Sequence, residues 1–142
     1  MASAKELRTA IVEGRAVFQA ALHGAHEHWE RKPAAGEGED AWSPRQVAEH
    51  TIGAEIFFAS NISQACGAPA VTGPEIDCAT PAAASATYVR AAAIADNVLR
   101  HVTDGDLVKT RALRAGEMTV ERMLEIIAYH ARDHANQIRV AS

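Results

Sequence analysis

The fold is decided by the stretch Thr119-Val-Glu-Arg-Met-Leu-Glu-Ile-Ile-Ala-Tyr-His-Ala-Arg-Asp-His-Ala-Asn-Gln-Ile138. Its apolar stripe runs through Met123 and Ile127 and continues through His130 and His134. Residues four apart lie on the same face of a helix, so both imidazoles are predicted to face the core. Burial of an imidazole without a partner is unfavourable, and a metal ion is the leading candidate for that partner.

A second helix is predicted from Pro44 to about residue 65. Ser43 is a good N-cap, Pro44 occupies the first helical position, and Gln46 completes a capping box. Trp42 preceding this start and Val47 following it are predicted to form a hydrophobic staple. The predicted inward stripe of this helix is Val47, His50, Ala54, Phe57 or Phe58, and Ile62.

Two more segments have helical spacing of apolar residues. The first spans residues 3–29, with Ser3 as its cap, and Gly14 falls on its apolar stripe. That glycine indicates close approach of another helix, or space near the bundle centre. The other segment starts at Thr80-Pro81 and runs to about residue 102, with Tyr88 and Leu99 facing inward.

The connections complete the fold prediction. Residues 31–41 form a loop, residues 66–79 are long enough to cross the bundle or line a pocket, and residues 107–117 favour an extended segment. Four helices of similar length with few aromatics predict an all-α four-helix bundle, with long connections between helices 2 and 3 and between 3 and 4. The length of 142 residues fits one domain over residues 1–142.

Composition excludes several classes of function. The formal net charge is −4 and no run of Lys or Arg stands out, so no nucleic-acid partner is expected. No apolar run is long enough for a membrane span, and the N-terminus lacks a signal-peptide apolar region, which predicts a cytoplasmic protein. Cys66 and Cys78 are not spaced as a metal or redox motif, so both are predicted to be free thiols.

Three histidines fall on predicted inward stripes: His50 on helix 2, and His130 and His134 on helix 4. Helical bundles build metal sites from side chains on facing helices, and three protein ligands leave a coordination position open. The His-x-x-x-His spacing alone is a weak signal, because a surface pair or a hydrogen-bonded core pair has the same spacing. Neutral imidazole suits several divalent ions, so Zn, Ni and Fe are not distinguished.

The neighbouring polar residues are assigned other roles. Glu49 and Asp133 each adjoin a histidine but point elsewhere on the helix, so they are predicted to be solvated or to act as partners that fix a histidine tautomer. Four other histidines lie near predicted helix ends: His23, His26, His28 and His101. They are expected to interact with helix C-termini and solvent, although His23 and His26 are spaced to hold a surface ion.

Two segments carry a family resemblance. Trp42-Ser-Pro-Arg-Gln-Val-Ala-Glu-His50 with Thr51-Ile-Gly-Ala-Glu55, and the stretch Thr119–Ile138, resemble the DinB-like superfamily of metal-binding four-helix bundles. That group includes YfiT-like metal-dependent hydrolases and mycothiol- or bacillithiol-dependent transferases and isomerases. The likeness in helix order covers essentially the whole chain, which is similar to the stand-alone members.

The resemblance implies a metal site and a set of chemistries. The family's triad of one histidine from helix 2 and a His-x-x-x-His pair from helix 4 matches His50, His130 and His134. It also implies an up-up-down-down-like topology, frequent homodimers, and action on a small molecule by thiol-S-transfer, with a low-molecular-weight thiol, or by hydrolysis. No general base is singled out, although the side chains of Tyr88, Tyr129 and Arg45 are candidates to reach a pocket.

Two alternatives stay open. The chain fits a metal- or ligand-binding stress-response protein without catalytic turnover. It also fits a structural bundle in which the three histidines form a buried hydrogen-bonded network without an ion.

Overall fold

The computed structural model describes residues 2–34 and 36–141. Its elements are α1 (Ala4–Gly24), α2 (Pro44–Ala65), α3 (Pro81–Leu99), a short hairpin of β1 (Thr110–Leu113) and β2 (Gly116–Thr119), and α4 (Val120–Ala141). Single 3₁₀ turns precede α2 (Gly38–Ala41) and β1 (Asp104–Val108). The all-α four-helix bundle is therefore confirmed. Within the described residues, no helix combines the length and the apolar character that a membrane crossing needs.

The predicted helix starts are confirmed at their caps. The Ser43 hydroxyl accepts a hydrogen bond from the Gln46 backbone N–H at 3.2 Å, and the Gln46 side chain accepts from the Ser43 N–H at 3.0 Å. Pro44 follows at the first helical position. At the start of α4, the Thr119 hydroxyl accepts from the Arg122 N–H at 3.1 Å. These bonds satisfy N–H groups that have no partner inside a helix.

The first helix is shorter than predicted. It ends at Gly24 rather than residue 29, and the chain reverses at His28, whose φ of 61° is left-handed. Trp29 is nevertheless buried in the core, where its indole N–H donates to the Cys78 carbonyl at 2.9 Å. The burial of Trp29 agrees with the apolar pattern that suggested a longer helix, but Trp29 reaches the core from the turn after α1.

The third helix ends at Leu99, about a turn earlier than predicted. The Arg8 guanidinium donates to the carbonyls of Leu99 at 3.3 Å and Val102 at 2.6 Å, which provides partners for carbonyls beyond the last helical turn. The predicted extended segment at 107–117 is largely confirmed: it becomes the antiparallel hairpin, with Thr110 opposite Thr119, while its first residues belong to the 3₁₀ turn.

The core divides into two clusters that set the helix directions. One contains the C-terminal parts of α1 and α4 (Phe18, Leu22, Ile138) with the N-terminal parts of α2 and α3 (Val47, Tyr88). The other contains the opposite ends of the same helices: Leu7, Ile62, Leu99, Val120 and Met123. The helices therefore run up, down, down, up along the chain. This order differs from the up-up-down-down order that the resemblance implied, and it is also distinct from a bundle with alternating directions.

The connection between α2 and α3 returns along the length of α2. The Val71 N–H donates to the Ser60 hydroxyl at 2.9 Å. A Cβ at Gly73 would lie 2.9 Å from Ile56, so the loop backbone packs directly on the helix there. Because α2 and α3 are parallel, this long crossover is required, as the loop length predicted.

Helices α1 and α4 pack closely at Gly14, as predicted. A Cβ at this position would lie only 2.7 Å from the carbonyl oxygen of Ala128. The absence of a side chain therefore lets two parallel helices approach at the level of the bundle centre.

A buried ion cluster was not predicted. The Arg15 guanidinium donates to both carboxylate oxygens of Glu55, and its Nη1 donates to Asp96 at 2.9 Å. Burial raises the pKa of the Glu55 carboxyl, and the Arg15 charge opposes that rise. The Tyr88 hydroxyl lies beside Glu55, and burial raises the Tyr88 pKa. The cluster joins α1, α2 and α3 behind the histidine-bearing face of the bundle.

Candidate metal centre

The three predicted histidines converge between α2 and α4. The Nε2 atom of His130 lies 2.9 Å from that of His134 and 3.2 Å from that of His50. The ligating nitrogens of all three lie within 4.8 Å of one another. Residues 80 positions apart are thus brought into contact by the packing of α2 against α4.

These separations suit a shared ion. Zn–N bonds of about 2.1 Å at tetrahedral angles put the nitrogens about 3.4 Å apart. The separations of 2.9 and 3.2 Å between His130 and its neighbours are slightly shorter than that. The differences from that value are about 0.5 and 0.2 Å.

The imidazoles of His50 and His130 are kept neutral by their surroundings. Burial, and then the neighbouring His134 and His50, lower the pKa of His130 to about 4. Burial and His134 also lower the pKa of His50. At neutral pH both rings therefore have lone pairs free for coordination, which is the form that binds metal.

Gln137 fixes the orientation of His134. Its side-chain carbonyl lies 2.8 Å from Nδ1 of His134, one turn earlier on α4, and accepts the proton there. Its amide donates to the backbone carbonyl of Glu39. With the proton on Nδ1, the Nε2 of His134 is left as the coordinating atom. Metal-binding histidines commonly make such a hydrogen bond with the ring nitrogen that does not bind the metal. Gln137 thereby links the triad to the loop before α2.

Trp42 supports His50 from the other side. The indole and imidazole ring centroids are 4.9 Å apart and tilted at 57°. Trp42 is partly buried against the core cluster that contains Phe18, Val47 and Tyr88, in agreement with the predicted staple between Trp42 and Val47. Trp42, which precedes the start of α2, therefore also restricts the ring of His50 on that helix.

A cleft opens beside His50 and His130. Its volume is about 540 Å³, within the range of ligand sites, and its wall includes Ala54, Phe57, Phe58 and Ile126. Phe57 is 52 % exposed, whereas Phe58 is partly buried against the core, so the inward position predicted for one of the two belongs to Phe58. The helical periodicity is real, but at Phe57 it continues the lining of the cleft, and the core-facing stripe passes instead through Ile52, Glu55 and Ala59.

A second hollow of about 570 Å³ adjoins His134. It is lined by Glu39, Asp40, Asp133 and Gln137 among others. Glu39 borders both hollows, and its charge raises the pKa values of His50 and His130 against the effect of burial. The triad thus lies at the mouth of an open, acidic surface rather than inside a closed core.

The other predicted candidates lie in various places. Glu49 pairs with Arg45 at 3.6 Å and Asp133 is exposed, so neither belongs to the converging set of ligand atoms. Tyr88 is buried and borders a cavity of only about 10 Å³ behind His130, and Tyr129 is exposed beside His130. Arg45 is held by Glu30 at 2.6 Å.

The remaining histidines and the cysteines lie elsewhere. His26 and His28 are beyond the end of α1, His23 contacts the Ser85 hydroxyl at 3.2 Å, and His101 is in the turn after α3. His28 accepts a hydrogen bond from Arg31 at 3.0 Å. Cys66 and Cys78 are free thiols, as predicted. Burial raises the pKa of Cys78 to about 11, so its thiolate is disfavoured at neutral pH.

The sequence interpretation missed Glu39 and Gln137. Gln137 had a detectable signal, because it lies three residues after His134 on the same helical face. Glu39 had none, because it comes from an irregular loop whose position depends on tertiary contacts.

Comparison with known protein families identifies a matching family model. The family model described as the DinB superfamily matches residues 3–138, which include all three histidines and both segments of the resemblance. Searches of curated proteins and of solved structures gave no match.

Proposed function

The chain belongs to the DinB superfamily, and we propose that it binds one divalent metal ion through His50, His130 and His134 and acts on a small molecule. The observation that carries this proposal is the convergence of three imidazoles at the mouth of a ligand-sized cleft. Three protein ligands and an adjoining cleft are typical of a catalytic site rather than a closed structural one.

The protein's own groups have distinct tasks in this proposal. The three Nε2 atoms hold the ion, Gln137 keeps the proton of His134 on Nδ1, and Trp42 restricts the ring of His50. When bound, the ion supplies Lewis acidity, which lowers the pKa of a water or thiol or polarises a substrate oxygen. The cleft holds the remainder of the substrate beside the open coordination position.

Two reaction classes fit such a centre. One is thiol-S-transfer, in which a low-molecular-weight thiol attacks an electrophilic carbon and its leaving group departs. The other is hydrolysis, in which water is the nucleophile. The resemblance to thiol-dependent transferases and to metal-dependent hydrolases supports both, and three imidazole ligands suit Zn, Ni and Fe alike.

Metal content tests the first half of the proposal. Protein purified without a histidine tag is expected to hold about one equivalent of divalent metal, and His50→Ala and His134→Ala are expected to lose it. His101→Ala is the matched control, because His101 is exposed after α3. Zn or Ni should raise the melting temperature of the wild type but not that of a variant that carries both His50→Ala and His134→Ala. Metal content that is unchanged in both triad variants would contradict the proposal.

Turnover tests the second half. Metal-loaded protein is incubated with a model electrophile, 1-chloro-2,4-dinitrobenzene, and with cysteine, glutathione or water as nucleophile. Metal-dependent conjugation supports thiol transfer, and metal-dependent release of chloride without a thiol supports hydrolysis. Binding of ligands without turnover across a broader electrophile panel would favour the alternative, a metal- or ligand-binding protein without catalysis.

The homodimer and the cytoplasmic location also stay proposals. Light scattering of the purified protein tests the first, with twice the chain mass expected. Fractionation of the producing cells tests the second.

A further inference from the structure

The cleft beside His50 and His130 is lined mainly by apolar residues. Along α2, the residues at one helical face follow His50 at intervals of three and four: Gly53, Ala54, Phe57 and Phe58. Ile126 of α4 forms the facing wall. Gly53 contributes no side chain to this wall, and a Cβ there would meet only Cδ1 of Ile76, at 3.7 Å. An apolar surface therefore leads directly away from the ligating nitrogens.

Phe57 is the most unusual part of this wall. More than half of its side chain is exposed, although it contacts Phe58 in an edge-to-face pair with ring centroids 5.2 Å apart. An exposed aromatic ring beside a cleft is a common property of ligand sites, because a bound apolar group removes it from water. Val12 and Val89 are similarly exposed but do not belong to the lining of this cleft.

The charged residues of the cleft are both acidic. Glu39 and Glu49 line it, and its lining includes no Lys or Arg among the described residues. Glu49 is partly neutralised by Arg45 at 3.6 Å, whereas no ion pair engages Glu39 within the described chain. Arg122 borders a neighbouring hollow that shares Ile126 and His130 with the cleft, and there its charge is opposed by Asp133 in the same lining and by Glu125 at 4.0 Å.

We propose that this cleft selects a ligand with an aryl or branched alkyl group and without anionic charge, placed so that its donor atom reaches the ion. This inference rests on the proposed metal centre and adds the substrate class. The apolar group packs on Phe57, Phe58 and Ile126. A cationic or neutral substituent is accepted beside Glu39, while a carboxylate or phosphate there is repelled by like charge.

Three thiols of matched shape test the charge preference. Phenylmethanethiol, 4-(aminomethyl)phenylmethanethiol and 4-(mercaptomethyl)benzoate are titrated into the Co²⁺-loaded protein, and the change in visible absorption gives each Kd. The cationic thiol is expected to bind about tenfold more tightly than the anionic one at low salt, with the neutral thiol between them. Equal affinities, or preference for the benzoate, would overturn the proposal.

Charge variants assign the preference to its source. Glu39→Gln, measured on protein saturated with Co²⁺, is expected to remove most of the difference between the cationic and anionic thiols. Glu37→Gln is the matched control, since it lies in the same loop but outside the cleft lining and should behave as wild type. A preference that survives Glu39→Gln together with Glu49→Gln would show that these carboxylates do not set it.

The apolar wall is tested separately. Phe57→Ser is expected to weaken phenylmethanethiol binding about tenfold with little effect on 2-mercaptoethanol, which is too small to reach the wall. Val89→Ser removes a similarly exposed apolar side chain from α3 and should change neither affinity. Equal losses of affinity for both thiols in Phe57→Ser would contradict the wall's role. Thiol affinity of the wild type that decreases as the protein concentration is raised would also contradict it, because a second chain would then cover the cleft.

The outcomes separate this inference from the function beneath it. If the protein takes up Co²⁺ but shows no selectivity among the thiols, the ligand class is wrong and the metal centre stands. If Co²⁺ does not bind, the proposed function itself fails and the ligand class fails with it.

Discussion

Replacement of Gln137 by Met tests how far the triad depends on its surroundings. Methionine keeps most of the side-chain volume but removes both the acceptor for His134 Nδ1–H, now at 2.8 Å, and the donor to the Glu39 carbonyl. Loss of such an outer partner weakens metal binding by about 10- to 100-fold. That corresponds to about 1.4 to 2.8 kcal/mol of binding free energy at about 1.4 kcal/mol per tenfold.

The assay is competition for Zn²⁺ against a chromophoric chelator, with the free energy of unfolding of the metal-free protein measured in urea alongside it. Gln137→Glu keeps an acceptor for His134 and should retain the affinity. Gln64→Met is the matched control, because Gln64 is equally half-buried but lies at the other end of α2. An unchanged Zn²⁺ affinity in Gln137→Met would refute the reasoning that this side chain orients His134.

Three further predictions concern the scaffold and pH. Gly14→Ala places a Cβ about 2.7 Å from the Ala128 carbonyl and should lower the free energy of unfolding by about 1–3 kcal/mol in urea melts; an unchanged midpoint would contradict the close contact. Arg15→Met leaves the buried Glu55 carboxylate without its main partner and should destabilise by about 3–5 kcal/mol, whereas a neutral effect would show that Glu55 is protonated or solvated. The folded state lowers the pKa of His130 to about 4, whereas the ordinary pKa of histidine is about 6.5. Between these two pH values the unfolded chain binds more protons than the folded protein, so the free energy of unfolding of the metal-free protein should fall as the pH drops from about 6.5 to about 4. His130→Asn should flatten this pH dependence, and an equal slope in the variant would contradict the assignment.

The bundle and the triad could be predicted because their signals are local. Ser43 and Pro44 start a helix by capping chemistry alone, and the spacing of His130 and His134 fixes their shared face whatever the surroundings are. The predicted stripe of α4 is buried at Met123, Ile127, His134 and Ile138, whereas His130 on the same stripe is half-buried and faces the cleft.

Other features depended on tertiary contacts that periodicity does not encode. A helical stripe predicts a face but not whether that face meets core or cleft, which is why the pattern could not decide between Phe57 and Phe58 for the inward position. Arg15 carries a charge and looked like a surface residue until Glu55 and Asp96, from two other helices, were brought to it. Glu39 reaches the site through a loop, where no repeat pattern exists to indicate its position.

The central claim is that His50, His130 and His134 together hold one ion and leave a position open. X-ray absorption spectroscopy of the Zn-loaded, tag-free protein tests it most directly. The account predicts three imidazole nitrogens at about 2.0–2.1 Å, with their outer-ring scattering, and one or two further light atoms that a thiol replaces by sulfur at about 2.3 Å. A spectrum with fewer than three imidazoles, or with cysteine sulfur in the absence of added thiol, would contradict it.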